Sequence, residues 1–432
     1  MPTATGGAPG AGDSAGAESR AEMMTKRNLI ASLFLIGFAL LAGCRAAPGP
    51  EAPESPSPAP VETPAPATPS PTPSPTPEPD PVEEALAAMT TEEKVGQLLI
   101  AGFYGTQAGE EVRSYIQDLH VGGVILYGRN VESAGQLLEL TNGLKALTGD
   151  GIPLLISTDQ EGGLVERMPP EVHRLPNAYD APDPAALGRA LGAECAAFGI
   201  NTDFAPSLDI WSNPDNTVIG RRAFGSDQET VTERGGACLS ALQETGTIPV
   251  VKHFPGHGDT AEDSHTELPV VDKTPEALWQ DELLPFQAAV QAGTPAVMVG
   301  HILVSQIDPE RPASLSPAVV TSLLREGLGF EGVVVTDDLT MGAVTQSYGL
   351  GEAAVLAVEA GCDLLLVCHE EGSVEEAYTA LLEAVDSGRL SQDRLDQSVR
   401  RILALKQDYG VTSDPVEAPD LEALNALVDA AW

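Results

Sequence analysis

Fourteen residues, Lys252-His-Phe-Pro-Gly-His-Gly-Asp-Thr-Ala-Glu-Asp-Ser-His265, gather three histidines, three acids and a lysine. His265 follows Asp263 by two positions, and in an extended chain residues i and i+2 point to one side. Asp263 is therefore placed to orient His265 and to stabilise its charged form, the arrangement of a proton-transfer histidine working near neutral pH. A second carboxylate, Asp337, ends the buried pattern Val333-Val-Val-Thr-Asp337-Asp338. A carboxylate fixed at the end of a buried strand is a candidate nucleophile. Strand alternation points Asp338 elsewhere, so Asp337 is the preferred member of the pair. The plainer alternative is that both are loop carboxylates accepting backbone hydrogen bonds. His253 and His257 also have the i, i+4 spacing of a zinc face, but that face needs a helix. Pro255 and Gly256 between them forbid one, so neither a metal nor any other cofactor is expected. With Lys252 alongside, these residues read as a polar pocket for a hydroxylated substrate. Asp159-Gln-Glu-Gly-Gly163 carries a similar mix of polar groups and permissive backbone, where glycines let a ligand approach closely.

The elements that must position these groups are short apolar runs. Eight strands are expected, at 98–103, 123–127, 153–158, 202–208, 248–252, 296–301, 332–336 and 363–368. Helical patterns fall between them, at 131–147, 184–198, 228–245, 275–292, 317–326, 351–360 and 373–387. Strands without polar alternation imply burial on both faces, as in a parallel sheet. Eight of them alternating with helices imply an α/β fold, a (β/α)8 TIM-type barrel in a single catalytic domain, with an open doubly wound sheet as the other arrangement. The barrel is favoured by polar residues at matching strand ends: Asp159, Asp209, His253, His301 and Asp337. A barrel brings such positions together at one mouth.

Outside the domain, at 82–412, the chain changes character. Met24-Thr-Lys-Arg, the apolar run Leu29–Leu41 and the small residues before Cys44 describe a secretory signal within residues 1–44. Residues 45–81 are rich in Pro, Ala, Ser, Thr and Glu and cannot build a core. They read as a tether, about 110 Å long if fully extended at ~3.1 Å per residue. Residues 413–432 are read as a C-terminal tail. The chain has 63 acidic against 23 basic residues, a net charge of -40, which argues against nucleic-acid partners. Cys195, Cys238, Cys362 and Cys368 lie in apolar or Ala-rich segments and read as buried thiols rather than bridges. No internal repeat is visible.

Two resemblances follow from these motifs. Leu41-Ala42-Gly43-Cys44 resembles a bacterial lipobox, which implies lipidation of Cys44 and an anchor on the extracytoplasmic face of the cell membrane, the domain itself making no other membrane contact. Lys252-His-Phe-Pro-Gly-His-Gly and Asp263-Ser-His265 resemble the signature of glycoside hydrolase family 3 β-N-acetylhexosaminidases of the NagZ type. Met89-Thr-Thr-Glu-Glu-Lys-Val-Gly-Gln97, Asp159-Gln-Glu-Gly-Gly163, Asp203-Phe-Ala-Pro206, Ile219-Gly-Arg-Arg-Ala-Phe-Gly225 and Thr336-Asp-Asp-Leu339 match in the same order, over about 85–408. The resemblance implies a TIM-type barrel, with Asp337 as nucleophile and His265 as acid/base partnered by Asp263. It further implies Asp159, Arg222, Lys252, His253 and His301 as sugar-binding residues. The implied substrate is an amino-sugar oligosaccharide such as a peptidoglycan fragment, cut by a monomeric, metal-free retaining enzyme. Phosphorolysis, β-glucosidase activity and a sugar-binding lipoprotein without chemistry are the alternatives. Leu164 stands where many members carry arginine, so a contact at an outer subsite is expected to differ.

Overall fold

The computed structural model describes residues 80–260, 264 and 267–432. Asp263, His265, Cys44 and nearly all of the expected signal and tether lie outside the described residues. The described part belongs to one compact unit, Thr76–Trp432. Eight parallel strands close on themselves: β1 (Leu99–Gly102), β2 (Gly123–Leu126), β3 (Leu155–Thr158), β4 (Thr202–Asp203), β5 (Ile248–Phe254), β6 (Ala296–Val299), β7 (Val333–Asp338) and β8 (Leu364–Val367). Each pairs with its neighbour in sequence, and β1 closes the ring on β8 through the Leu99–Leu365 register. Nearly every strand residue is buried, which is why the apolar runs lack polar alternation. The open sheet is thereby set aside.

Differences from the expected elements are local. Strand β4 covers two residues instead of seven, although Phe204 N still donates to the Thr158 carbonyl at 2.9 Å and the Ala205 and Pro206 carbonyls accept from Val250 N and Lys252 N at 3.2 Å. One isolated bridge, Ser207 to Lys252, resumes the pairing beyond it. Strand β7 runs on to include Asp337 and Asp338. The helix expected at 275–292 is two, Pro275–Gln280 and Leu283–Gln291. Pro285 would break a continuous helix in its interior, but it is tolerated in the first turn of a new one. Ala318–Gly327 is wound as a π-helix. A small two-stranded parallel sheet, Val270–Val271 with Leu303–Val304, ties the long loop after β5 to the loop after β6.

The expected tail is folded. Leu421–Asp429 is a helix capped by Asp420, packed on helix Pro184–Ala197, with Leu424, Val428 and Ala431 buried. Trp432 Nε1 donates to the Arg174 carbonyl at 2.8 Å. On the opposite side of the barrel from its mouth, buried Asp363 at the start of β8 accepts from Val334 N at 3.1 Å and Ser398 Oγ at 2.7 Å. It also pairs with Arg401 at 3.1 Å and with Arg325. The four cysteines are buried thiols. Among the described residues, no helix is long and apolar enough to cross a membrane.

Candidate active site

The C-terminal ends of the strands surround a pocket of about 340 Å³. Asp159 and Glu161 enter it from the loop after β3. That loop turns back sharply at Gly162 and Gly163, both with positive φ. A Cβ on Gly162 would meet the Pro176 carbonyl oxygen at 2.5 Å, so the turn requires glycine. Glu161 takes both Nε and Nη2 of Arg222, at 2.8 and 2.7 Å. Lys252, at the mouth end of β5, reaches Asp159 at 2.6 Å and Glu161 at 2.7 Å. These four side chains form one ion-pair cradle whose cations are buried along most of their length. Burial alone would raise the Glu161 carboxyl, but the charges and hydrogen bonds of Arg222 and Lys252 outweigh it and hold it well below the usual range. Burial likewise pulls the Lys252 ammonium down, and Asp159 and Glu161 more than offset it. Glu161, Arg222 and Lys252 are thus charged at neutral pH, with hydrogen-bonding groups already aimed.

Asp209 organises the next layer. It accepts from Ser207 Oγ at 2.8 Å and from His257 N at 2.7 Å, and pairs with His253 Nδ1 at 2.7 Å. The His253 and His257 carboxylate contacts hold Asp209 well below the ordinary carboxylate range despite its burial, which acts the other way. His253 lines the pocket, with Nε2 3.5 Å from Arg222 Nη2. The chain can run this close to itself only because residue 258 is glycine: a Cβ there would sit 1.8 Å from the Ile210 carbonyl oxygen.

Asp337 and Asp338 divide their labour. The two oxygens of Asp338 accept from Cys368 N at 3.1 Å, Thr340 N at 3.0 Å and Thr340 Oγ1 at 2.6 Å, and pair with His369 at 2.7 Å. Such a carboxylate is held in place by its neighbours and fixes the turn after β7. Asp337 lines the pocket, is partly exposed and accepts from Asp338 N at 2.8 Å. Its position suits a nucleophile better than that of Asp338.

The structure therefore brings Asp159, Arg222, Lys252, His253 and Asp337 to one pocket. His301 departs from the expectation. It is fully buried and absent from the pocket wall, with Nδ1 2.7 Å from Ser314 Oγ and Nε2 2.9 Å from the Asp338 carbonyl. Both nitrogens serve the framework behind β7, so His301 supports the wall instead of touching a ligand. Glu161 and His369 were not singled out for this site by sequence reasoning, whereas Asp209 was read only as a strand-end residue at the mouth and His257 only as part of a polar pocket. Glu161 was legible in principle, since it sits two residues after Asp159 in the same Gly-Gly motif.

A closed parallel barrel with a charged cradle and a partly exposed carboxylate at its C-terminal mouth defines a barrel enzyme acting on a polar small ligand. The chain belongs to glycosyl hydrolase family 3: residues 90–405 match the Glycosyl hydrolase family 3 N terminal domain. It is a glycoside hydrolase. It is 36% identical over 324 residues to a Beta-hexosaminidase of Nitrosomonas eutropha, a match covering 72% of this chain and 92% of that one. Beta-hexosaminidase A of Pseudoalteromonas piscicida is 33% identical over 370 residues, 74% of this chain, but the match spans only 62% of that longer protein. Among solved structures, a glycoside hydrolase family 3 beta-N-acetylglucosaminidase from Paenibacillus sp. superposes with a TM-score of 0.75 at 44% identity, covering 80% of this chain and 68% of that one.

Proposed function

We propose that this protein is an exo-acting, retaining β-N-acetylglucosaminidase that removes terminal β-linked N-acetylglucosamine from peptidoglycan fragments or related amino-sugar oligosaccharides. The observation that carries the reading is the pocket: about 340 Å³, lined by Asp337 and by the Asp159–Glu161–Arg222–Lys252 cradle. That volume lies near the lower end for small-molecule sites, room for a terminal ring and not for a chain passing through. The names of the family relatives support N-acetylhexosaminides as the substrate class. In the proposed route Asp337 attacks the anomeric carbon while His265, protonated and held by Asp263, gives its proton to the leaving oxygen. The C1–O bond breaks and a C1–Asp337 ester forms. Water then attacks C1, its proton passes to His265, and the carboxylate of Asp337 leaves. The charged cradle fixes the hydroxyls of the ring. The lipobox-like Leu41-Ala42-Gly43-Cys44 and the Pro-rich segment behind it support a lipid-anchored placement outside the cytoplasm.

The test is release of nitrophenol from the 4-nitrophenyl β-glycosides of N-acetylglucosamine and glucose, by the full-length protein. Preferential turnover of the N-acetyl compound is expected. Asp337→Asn should reduce it to background, and His265→Ala should lower it by about 10²–10⁴-fold. Turnover that needs added phosphate would make the protein a phosphorylase instead. Binding of N-acetylglucosamine without any turnover would sink the enzyme reading.

A further inference from the structure

In the loop after β3, Asp159 and Glu161 enter the pocket, and Gln160 between them turns away from it and is fully buried. Every polar atom of its side chain is engaged. Nε2 donates to Glu194 Oε2 at 2.7 Å and to Glu166 Oε1, and Oε1 accepts from Arg167 N at 2.7 Å. Its backbone N donates to Asp203 Oδ1 at 2.9 Å. These partners belong to three parts of the fold. Glu194 lies on the helix Pro184–Ala197, and Asp203 ends β4. Glu166 and Arg167 follow Val165 on the returning limb of the same loop, and Arg167 itself lines the pocket. Gln160 therefore ties both limbs of the loop to the strand and helix behind it.

An amide is the group that this place calls for. Glu194 and Asp203 are fully buried, and one oxygen of each, Oε1 and Oδ2, has no hydrogen-bond partner among the described residues. Burial pushes both carboxyls well above their ordinary range, and the hydrogen bonds from Gln160 oppose it at each. A carboxylate at position 160 would face Glu166 and Glu194 with no proton to give. An apolar side chain would withdraw the partner of buried Glu194 and that of the Arg167 amide.

We propose that Gln160 is a positioning residue for ligand binding: from behind the pocket wall it sets where Asp159, Glu161 and Arg167 stand, with Glu194 as its anchor in the helix layer. The inference rests on the glycosidase reading given above, in which that wall holds the terminal ring.

A wall that holds the ring equally in the ground and transition states contributes to KM and not to kcat. The measurements are kcat and KM of the full-length protein on the 4-nitrophenyl β-glycoside of N-acetylglucosamine, Kd for free N-acetylglucosamine by calorimetry, and the midpoint of thermal unfolding. Gln160→Leu should raise KM and Kd together by about 10–100-fold, with kcat within about threefold of wild type. Glu194→Leu removes the anchor from outside the pocket and should raise both by about 5–20-fold. Glu194→Gln keeps an oxygen to accept from Gln160 and should return both to within about threefold of wild type. Because the two residues act through one hydrogen bond, the double variant Gln160→Leu/Glu194→Leu should be no worse than Gln160→Leu alone. Should Gln160→Leu fail to fold, the two Glu194 variants decide the matter. A purely structural role would lower the midpoint and leave KM and Kd of the folded protein unchanged. That result, or equal losses in Glu194→Leu and Glu194→Gln, would overturn the inference while leaving the glycosidase reading intact. Wild-type protein that neither binds nor cleaves these compounds would remove that reading, and the inference with it.

Discussion

At the scale of single residues, the site depends on one buried carboxylate more than on any other. Glu161 is the shared counter-charge of Arg222 and Lys252, and removing one partner from a buried ion pair costs about 3–5 kcal/mol because the other charges stay buried and unpaired. Glu161→Gln is therefore expected to lower stability by that order, read as a shifted urea midpoint, and to raise KM as the cradle loosens. The pH dependence has a definite sign. The folded-state pKa of Glu161 is depressed, so its stabilisation is complete above the unfolded value of about 4.3 and is lost as pH falls from there through the folded value. The gap between wild type and Glu161→Gln should hold steady from pH 6 to 8 and narrow below about pH 4. A gap independent of pH would contradict the assignment. The gathering of Asp159, Arg222, Lys252, His253 and Asp337 in one pocket was legible beforehand, because four of them stand at strand ends and Arg222 lies in a recognisable motif. His301 was misplaced for a reason that sequence does not carry. A histidine at a strand end faces either the mouth or the framework, and only the positions of Ser314 and the Asp338 carbonyl decide which. Glu161 could have been found from its i+2 spacing to Asp159, the one cue that separates it from the polar neighbour between them.

Among the elements, the eight barrel strands were readable as runs buried on both faces, and their ends were not. After Asp203 the regular pairing of β4 gives way to separate bonds from 204–208 to its neighbours, and at Asp337 and Asp338 the pairing of β7 continues past the apolar run. Backbone hydrogen bonding sets those ends, and side-chain type reports it weakly. The element most exposed to a single change is β8. Its first anchor, Asp363, is fully buried and joins β7, the π-helix Ala318–Gly327 and helix Gln392–Asp408 through Val334 N, Arg325, Ser398 and Arg401. Asp363→Ala would remove the carboxylate these donors share on the face opposite the active site. We expect a loss of about 3–5 kcal/mol in urea unfolding, with KM unchanged in the fraction that remains folded. A change in KM comparable to that of Glu161→Gln would mean that the two faces of the barrel are coupled.

For the whole molecule, the C-terminal segment is part of the fold. Its composition, short and acidic after a Pro-containing stretch, reads as a tail because only one face of nine residues is apolar. The partner that makes the helix worthwhile, Pro184–Ala197, is far away in sequence. Leu424 and Val428 are buried against it, and fully burying such a side chain is worth about 1.5–3 kcal/mol. Ending the chain at residue 412 should therefore lower the midpoint of thermal unfolding by several degrees, an effect of a few kcal/mol at ~2–4 °C per kcal/mol for a domain of this size. An unchanged midpoint would show the helix to be ornamental.

The dimensions of the pocket also govern how a sample of polymer would change with time. A cavity with room for one ring meets a chain only at its tip, and the packed barrel beneath leaves no way through. Each encounter shortens one molecule by a single unit and leaves its interior bonds untouched. In a solution of long chains, free monosaccharide would accumulate from the first minutes while viscosity barely fell. The rate would follow the number of chain ends and not the mass of polymer, so shearing the same mass into shorter pieces would speed the enzyme in proportion to the ends created.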